Sequence, residues 1–274
     1  MFDYAQVRAR FNRAHRSYDQ YAVVQQEAGR RLAARFDWLK LAPTRILDLG
    51  AGTGQMTRAL QARYPKAAVF ALDLAEEMLE TLPKSGRWIK RKRAVCADMH
   101  HLPFATGSFD IVISNFAIQW SHDLGLLLAE IARVLAPGGV LSFTTLGPES
   151  LRECRRAWAA VDGGSHIHGF LDMHDVGDAM VRACLADPVL DQEQLILHYP
   201  DAMTLLRELR GVGVGNTLFD RSSGLTGRHK WQAFLAALEA EKTGAGIPLT
   251  YEVVYGLAWG SGISPMSEEP RKIP

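Results

Sequence analysis

Cysteine is scarce in this chain of 274 residues, and its three cysteines, Cys96, Cys154 and Cys184, lie far apart. No pair has the close spacing of a zinc site, and scattered cysteines in an odd number do not make a disulfide framework. We therefore expect neither a metal nor disulfides. Reduced thiols are usual in the cytosol, so the expected location is cytoplasmic.

The chain also lacks an excess of either charge, since 31 Lys and Arg face 30 Asp and Glu. Nucleic-acid binders that rely on electrostatic attraction normally carry a strong basic excess, so no nucleic-acid partner is expected. No long apolar run is present either. The longest, residues 125–143, is interrupted by Glu130, Arg133 and Pro137, which excludes a membrane span there.

Short apolar segments do alternate with helix-like segments. This alternation is typical of a parallel sheet covered by helices on both faces, the Rossmann-like α/β class. Predicted strands start at Arg45 and cover 68–73, 93–98, 109–118 and 138–147, with helices at 54–64, 75–82 and 123–136. Residues 18–36 carry apolar side chains on one face and predict a single helix before the first strand.

The pattern becomes irregular after residue 147. We interpret the additional helices as a cap over the edge of the sheet where open α/β sheets bind ligands. Predicted helices cover 148–160, 174–185, 201–210 and 229–242, and predicted strands cover 193–199 and 250–260.

The first strand ends in a glycine-rich turn with Gly50, Gly52 and Gly54 at the start of a helix. Such a turn lets a ligand approach the backbone closely. A dinucleotide fingerprint would place its third glycine at position 55, which is Gln55. Asp48 precedes the turn; it would repel a pyrophosphate, but it suits the ammonium group of an amino-acid ligand.

Two further carboxylates end the next strands. Asp73 suits ribose hydroxyls, and Asp98 suits an adenine amino group with Met78 and Met99 as apolar walls. For any one of these carboxylates alone, capping a helix or turn is an equally good interpretation. Together with Asp48 they end successive strands at one edge of the sheet, which favours a ligand site.

The segments ILDLGAGTG, ALD, ADM, FDIVISNFAIQW and VLAPGG, within about residues 45–145, together resemble the class I S-adenosylmethionine-dependent methyltransferases. The resemblance implies seven strands with the last antiparallel, for which 250–260 is the candidate. It also implies S-adenosylmethionine as cofactor, leaving as S-adenosylhomocysteine. The cofactor-binding residues expected on this basis are Tyr18, Asp48, Gly50, Ala51, Gly52, Gly54, Asp73, Leu74, Met78, Ala97, Asp98, Met99 and Asn115.

Outer segments of the chain resemble a narrower family, the malonyl-[acyl-carrier protein] O-methyltransferases of biotin synthesis. They are residues 10–22, 143–158, 166–180, 186–191 and 205–217. The implied reaction methylates the free carboxylate of a malonyl thioester on acyl-carrier protein or coenzyme A, and the ester primes pimeloyl and biotin synthesis. One departure is Cys184-Leu185, where the family pattern leads us to expect glycine and a large apolar residue; we interpret it as a change in packing.

A carboxylate acceptor has a pKa of about 4 and is already ionised at neutral pH, so this reaction needs no base. Groups that orient the acceptor are expected instead. The candidates are Tyr18, Asn115, Gln119, Trp120 and His166, with His168 beside it. Packing is an equal alternative for Gln119 and Trp120, and solvent exposure is one for the histidines.

An acyl-carrier protein is acidic, so its docking face on this chain should be basic. We expect Arg152, Arg155 and Arg156 to supply it, with Arg207, Arg210, Arg221 and Arg228 as further options. Two rival functions stay open: methylation of another small acceptor, such as a different carboxylate or a quinone ring carbon, and a non-catalytic S-adenosylmethionine-binding assembly protein. The predicted organisation is lid helices in 1–40, a cofactor-binding core in 41–147, a cap with the last strands in 148–260 and a disordered tail in 261–274.

Overall fold

Seven strands form one sheet in the order β3-β2-β1-β4-β5-β7-β6. The structure, a computed structural model, describes residues 3–82, 93–162, 166–167, 169–213 and 227–263. All pairs from β3 to β5 are parallel, and β7 runs antiparallel to both β5 and β6. The strands are β1 (Arg45–Leu49), β2 (Ala68–Asp73), β3 (Ala94–Cys96), β4 (Phe109–Asn115), β5 (Leu135–Leu146), β6 (Leu185–Tyr199) and β7 (Ile247–Gly260).

This topology confirms the predicted fold class and the antiparallel last strand. The central strands are uninterrupted apolar runs because helices cover both of their faces. On β1, Ile46, Leu47 and Leu49 have no exposed surface. The edge strand β6 instead alternates partly buried and exposed residues, which is the pattern of a strand with one solvated face.

Helices lie on both sides of the sheet. Two buried clusters result, one around Leu32, Leu60 and Phe234 and the other around Leu127 and Ile131. The helices of the described residues are α1 (Tyr4–Ala14), α2 (Tyr18–Tyr21), α3 (Val23–Arg35), α4 (Gln55–Arg63), α5 (Glu76–Leu79), α6 (Leu124–Val134), α7 (Arg152–Ala159), α8 (Met173–Arg182), α9 (Ala202–Gly211) and α10 (Arg228–Ala240), with 3-10 turns at Phe36–Trp38 and Ile118–Trp120.

The single helix predicted for 18–36 is wrong, because the chain breaks at Ala22. This residue has a ψ of +45°, outside the helical range, and separates α2 from α3. The break deprives the Asp19 carbonyl of its helical partner, and the side chain of Gln26 donates to that carbonyl instead at 2.7 Å. Helix α2 is instead tied to the glycine turn, since the Asp19 carboxylate accepts from the Thr53 hydroxyl.

Strand β6 begins at Leu185 and not at 193, and the helix predicted for 174–185 ends at Arg182. A bulge between Ala186 and Val189 interrupts the pairing register near the start of the strand. The alternation of side chains is broken there, so the sequence pattern indicated only the later part of the strand. Cys184, just before the strand, has a φ of +57°. The departure from glycine at this position therefore strains the backbone and is more than a change in packing.

Strand β4 is shorter than predicted, since it ends at Asn115, and β5 is longer, since it begins at Leu135. After β4, Phe116 takes a φ of +52° and a 3-10 turn follows. Of the predicted tail 261–274, only 261–263 lie within the described residues. In the part of the chain that the structure describes, none of the helices has both the length and the apolar character needed to cross a membrane.

Candidate functional site

The glycine turn after β1 is shaped by close packing as well as by backbone angles. Gly50, Gly52 and Gly54 have φ values of +73°, +53° and +81°. A Cβ atom added to Gly50 would lie 2.2 Å from the Cβ of Ala117, and one added to Gly54 would lie 2.0 Å from a methyl of Leu82. A Cβ on Gly52 would meet nothing within 4 Å, because this glycine faces an open cleft.

That cleft, called here the first cleft, lies beyond the carboxyl ends of β1 to β4 and has about 720 Å³ of space, including its opening to solvent. Its lining is more apolar than polar and combines glycine backbone, carboxylates and methionine side chains. The predicted residues that line it are Tyr18, Gly50, Gly52, Asp73, Leu74, Met78, Ala97, Asp98, Met99, Asn115 and Trp120.

Asp73 joins the glycine turn to the start of α5. Its Oδ2 accepts a hydrogen bond from the Gly52 amide, and its Oδ1 accepts one from the Ala75 amide, both at 2.8 Å. Burial raises the pKa of this carboxyl, and the backbone hydrogen bonds act in the opposite direction. The carboxylate is thus held at the base of the first cleft, where each oxygen keeps a further lone pair for a ligand hydroxyl.

Asp98 is positioned by a buried histidine. Its Oδ1 accepts from the His100 amide at 2.9 Å and contacts His100 Nδ1 at 2.7 Å, and the other ring nitrogen lies 2.8 Å from the Ser121 hydroxyl. Partial burial alone would raise the pKa of Asp98, but the hydrogen bonds from His100 outweigh it and lower the pKa. Oδ2 takes no part in these bonds, which suits it to accept from an amino group in the cleft.

Asp48 does not line the first cleft. It is 1% exposed and accepts a hydrogen bond from the hydroxyl of Thr57 on α4. Burial raises the pKa of Asp48 to about 7. Ala51 and Gly54 also lie behind the surface of the cleft, where they shape the turn. Asp48, Ala51 and Gly54 therefore support the turn in this structure without lining the cleft.

A second cleft, with about 560 Å³ of space including its opening to solvent, adjoins the first. Phe11, Tyr18, Phe116 and Trp120 line both, so these four residues are a shared wall. The wall is held by an edge-to-face contact between the rings of Phe11 and Trp120, whose centroids are 5.5 Å apart. Burial raises the pKa of Tyr18, and its hydroxyl has no hydrogen-bond partner among the described residues.

The rest of the second cleft is mostly apolar. Its polar groups beyond the shared wall come from Gln25, Gln119 and Tyr251, and the lining described contains no acidic or basic side chain. The Oε1 atom of Gln119 is buried without a hydrogen-bond partner among the described residues. The remaining lining residues are Val24, Leu146, Leu151, Phe170, Leu209 and Val212.

Asn115 lies on the side of the first cleft and is already engaged. Its Nδ2 donates to the Gln25 carbonyl at 2.9 Å, and its Oδ1 accepts from the Thr144 hydroxyl at 2.7 Å. These bonds tie the end of β4 to α3 and to β5. The amide therefore positions the end of β4 beside the shared wall and keeps one Nδ2 hydrogen outside these bonds.

His166 lies away from both clefts, contrary to the expectation of a catalytic role. Its ring stacks on Trp158 with centroids 3.7 Å apart, and its Nε2 lies 2.7 Å from an oxygen of Asp162. Trp158 in turn stacks on Phe234 of α10. The histidine thus belongs to a packing cluster between α7 and α10. His168 lies outside the described residues.

The three arginines expected to bind a partner all make contacts within the protein. Arg152 Nη1 lies 3.2 Å from Glu149, and Arg156 makes two hydrogen bonds to Glu241 at 3.0 and 2.8 Å. Arg155 donates to the carbonyls of Ser150 and Pro148.

Several residues of the two clefts were missed in the sequence, and most of them share one helix face. Tyr4, Val7, Arg8 and Phe11 recur at intervals of three and four along α1 and all line the first cleft. That helical spacing is the signal that would have identified them. The Tyr4 hydroxyl also donates to the Trp120 carbonyl at 2.8 Å, which ties α1 to the shared wall.

Comparison with known proteins gives three consistent findings. A family model described as a methyltransferase domain matches residues 47–143. The chain is 44% identical over 272 residues to the malonyl-[acyl-carrier protein] O-methyltransferase of Laribacter hongkongensis, covering 96% of this chain and 91% of that protein. The enzyme of the same name from Halorhodospira halophila is 45% identical over 261 residues, covering 94% and 88%.

Solved structures agree on the fold. The YcgJ protein of Bacillus subtilis superposes with a TM-score of 0.58 at 17% identity, covering 83% of this chain and 97% of that one. A Thermotoga maritima structure described as a possible histamine N-methyltransferase gives 0.54 at 19% identity, covering 93% and 99%. At these identities the likeness concerns the architecture of the sheet and its helices.

Proposed function

Because the chain belongs to the family of malonyl-[acyl-carrier protein] O-methyltransferases, we propose that it methylates the free carboxylate of a malonyl thioester carried on acyl-carrier protein. The methyl donor is S-adenosylmethionine, and the products are the malonyl methyl ester and S-adenosylhomocysteine. The observation that carries the proposal is the pair of clefts that meet at Tyr18, one suited to the donor and the other to an anionic acceptor.

The polar and apolar groups that line the first cleft match those of S-adenosylmethionine. Asp73 would hold the ribose hydroxyls, Asp98 the adenine amino group, and Met78 and Met99 the apolar faces of the adenine. Gly52 leaves open space where any other residue would place a Cβ atom. When bound, S-adenosylmethionine supplies a methyl group made electrophilic by its sulfonium.

The second cleft supports methyl transfer to a carboxylate because it contains groups that can orient the acceptor and, among its described lining residues, no base. Its described lining has no Asp, Glu, His, Lys or Arg, and a malonyl carboxylate needs none to become a nucleophile. Tyr18 and Tyr251 offer hydroxyls and Gln119 an amide, and these are donors that can hold carboxylate oxygens. We assign Tyr18, at the shared wall, to orient the reacting oxygen.

The apolar remainder of the second cleft contributes by excluding water. An anionic oxygen and a sulfonium lose their charges as they react, so a poorly solvated surrounding favours the transition state over the separated ions. Phe170, Leu146 and Leu151 surround this space with hydrocarbon. The protein's share of catalysis is then alignment of the two reactants and removal of solvent.

The test is incubation of the purified protein with isotopically labelled S-adenosylmethionine and malonyl-loaded acyl-carrier protein, followed by mass spectrometry of the acyl group. We expect one labelled methyl group on the distal carboxylate. Acetyl-loaded carrier protein is the matched control, since it lacks that carboxylate and should remain unlabelled. Cofactor binding without any methylated product would support a non-catalytic assembly protein, and label on a different acceptor would indicate another substrate.

A further inference from the structure

A groove on the outer side of the N-terminal helices is lined by four arginines, Arg10 and Arg13 of α1 with Arg207 and Arg210 of α9. We name these four residues and the surface between them the arginine groove. The remaining lining described comes from uncharged residues, including Ser17 and Tyr21. Among the described residues, no carboxylate lines it, although the whole chain carries almost equal numbers of acidic and basic residues.

The acidic residues near these arginines in sequence have partners of their own. Asp201 caps α9 by accepting from the Thr204 amide at 2.7 Å, within electrostatic reach of Arg207. Glu208, the one acidic residue of α9, accepts a hydrogen bond from the Tyr199 hydroxyl at 2.6 Å. Asp19 of α2 accepts one from the Thr53 hydroxyl at 2.5 Å, on the glycine turn. Helix α1 contains no acidic residue. Arg13, Arg207 and Arg210 are exposed and form no ion pair with a described residue.

The arginine groove borders the second cleft through the packing of α9 against the N-terminal helices. A Cβ atom added to Gly211 would lie 2.2 Å from the ring of Tyr21, and one added to Gly213 would lie 3.2 Å from the ring of Phe11. Phe11 is part of the shared wall, and Leu209 lines the second cleft from α9. Helices α1 and α9 therefore carry arginines on their outer side and line the second cleft on their inner side.

On the basis of the proposed function, we infer that the arginine groove is the docking surface for the acidic face of the acyl-carrier protein. Exposed guanidinium groups that form no ion pair with a described residue, here those of Arg13, Arg207 and Arg210, attract carboxylates and speed encounter with an acidic partner. Its position beside the second cleft sets the bound carrier next to the place where its malonyl group reacts.

The arginines of α7 are a less favourable surface for the same partner. Arg152 and Arg156 are paired with carboxylates of the protein itself, and Arg155 donates to two backbone carbonyls. A partner that docked on these three residues would have to replace existing contacts. In the arginine groove, Arg13 makes one hydrogen bond, to the Ala9 carbonyl of its own helix, and Arg207 and Arg210 make no ion pair with a described residue.

The experiment compares two substrates and two surfaces. Steady-state kinetics are measured for the double variant R13E/R210E with malonyl-loaded carrier protein and with the small, carrier-free malonyl thioester of N-acetylcysteamine. We expect the KM for the carrier substrate to rise about tenfold or more, and kcat/KM for the small thioester to stay within about twofold. The variant R13Q/R210Q should give an intermediate KM.

R155E/R156E is the rival variant, and R182E on the exposed side of α8 is the control for charge reversal alone. Neither should raise the KM for the carrier substrate by more than about twofold. Binding of fluorescently labelled malonyl-carrier protein, measured by anisotropy at increasing salt, provides a readout independent of turnover. We expect R13E/R210E to weaken this binding and to reduce its salt dependence.

Two results would overturn the inference. In the first, R155E/R156E weakens carrier binding and R13E/R210E does not. In the second, R13E/R210E lowers kcat/KM equally for the carrier substrate and for the small thioester. If the wild-type protein binds the carrier but methylates neither substrate, the proposed function fails. The anisotropy measurement then still decides whether the arginine groove is where the carrier binds.

Discussion

Asp48 gives a quantitative prediction, because its carboxyl is buried beneath the glycine turn with a pKa of about 7. Its ordinary value is 3.8, so between these two pH values the native protein binds a proton that the unfolded chain has released. Stability therefore falls as pH rises through this window. A shift of this size lowers the free energy of unfolding by about 4 kcal/mol above pH 7. About 2 kcal/mol of this loss is already present near pH 5.5.

The perturbation is Asp48→Asn, which removes the titration while its Oδ1 can still accept from the Thr57 hydroxyl. The variant's free energy of unfolding, relative to the wild type, should increase by about 2 kcal/mol between about pH 5.5 and pH 8. Urea denaturation followed by tryptophan fluorescence measures this difference. Any constant effect of the amide on packing cancels between the two pH values, as does the titration of His100.

Asp178→Asn, on the exposed side of α8, is the matched control and should show no such change. If the relative stability of Asp48→Asn is the same at both pH values to within about 0.5 kcal/mol, the reasoning is refuted. Asp48 would then be ionised in the native protein at about pH 5.5, and the desolvation that raises its pKa would be offset by contacts beyond the bond from Thr57.

Two further predictions concern Tyr18 and Cys184. Tyr18→Phe keeps the ring in the shared wall and removes the hydroxyl; kcat/KM for malonyl-carrier protein should fall about tenfold to a hundredfold, while the S-adenosylmethionine Kd changes less than about threefold by calorimetry. Unchanged kinetics would assign Tyr18 to packing alone. Cys184→Gly relieves the positive φ and should raise the free energy of unfolding by about 1 kcal/mol in urea, whereas Cys184→Ala should not. Equal stability of these two variants would show that the backbone there is not strained.

The sheet and its glycine turn could be predicted from the sequence because they depend on local signals. Uninterrupted apolar runs mark the central strands, and the glycines mark the turn whatever lies around it. The break at Ala22 could not be predicted in this way, since the apolar spacing continues through it. It is decided by tertiary contacts, among them the bond from Thr53 to Asp19.

The candidate site was predictable where residues follow strands and less so where distant segments meet. Asp73 and Asp98 end strands whose carboxyl ends share one edge, so their place in the first cleft follows from topology. The pairing of Arg156 with Glu241 spans 85 positions, and no local pattern indicates it. His166 was misplaced because its ring joins a stack that reaches Phe234 of α10 through Trp158, and no local pattern indicates this stack.

The shared wall has a consequence for redesign of the substrate range. Phe11, Tyr18, Phe116 and Trp120 each face two clefts, so a substitution there alters donor and acceptor together. Phe11 also packs toward Gly213, beside the arginine groove. A library intended to admit longer diacids should spare these positions. It should vary Leu146, Leu151 and Phe170, which line the acceptor side alone, so that selection for a new acid is not confounded by loss of the methyl donor.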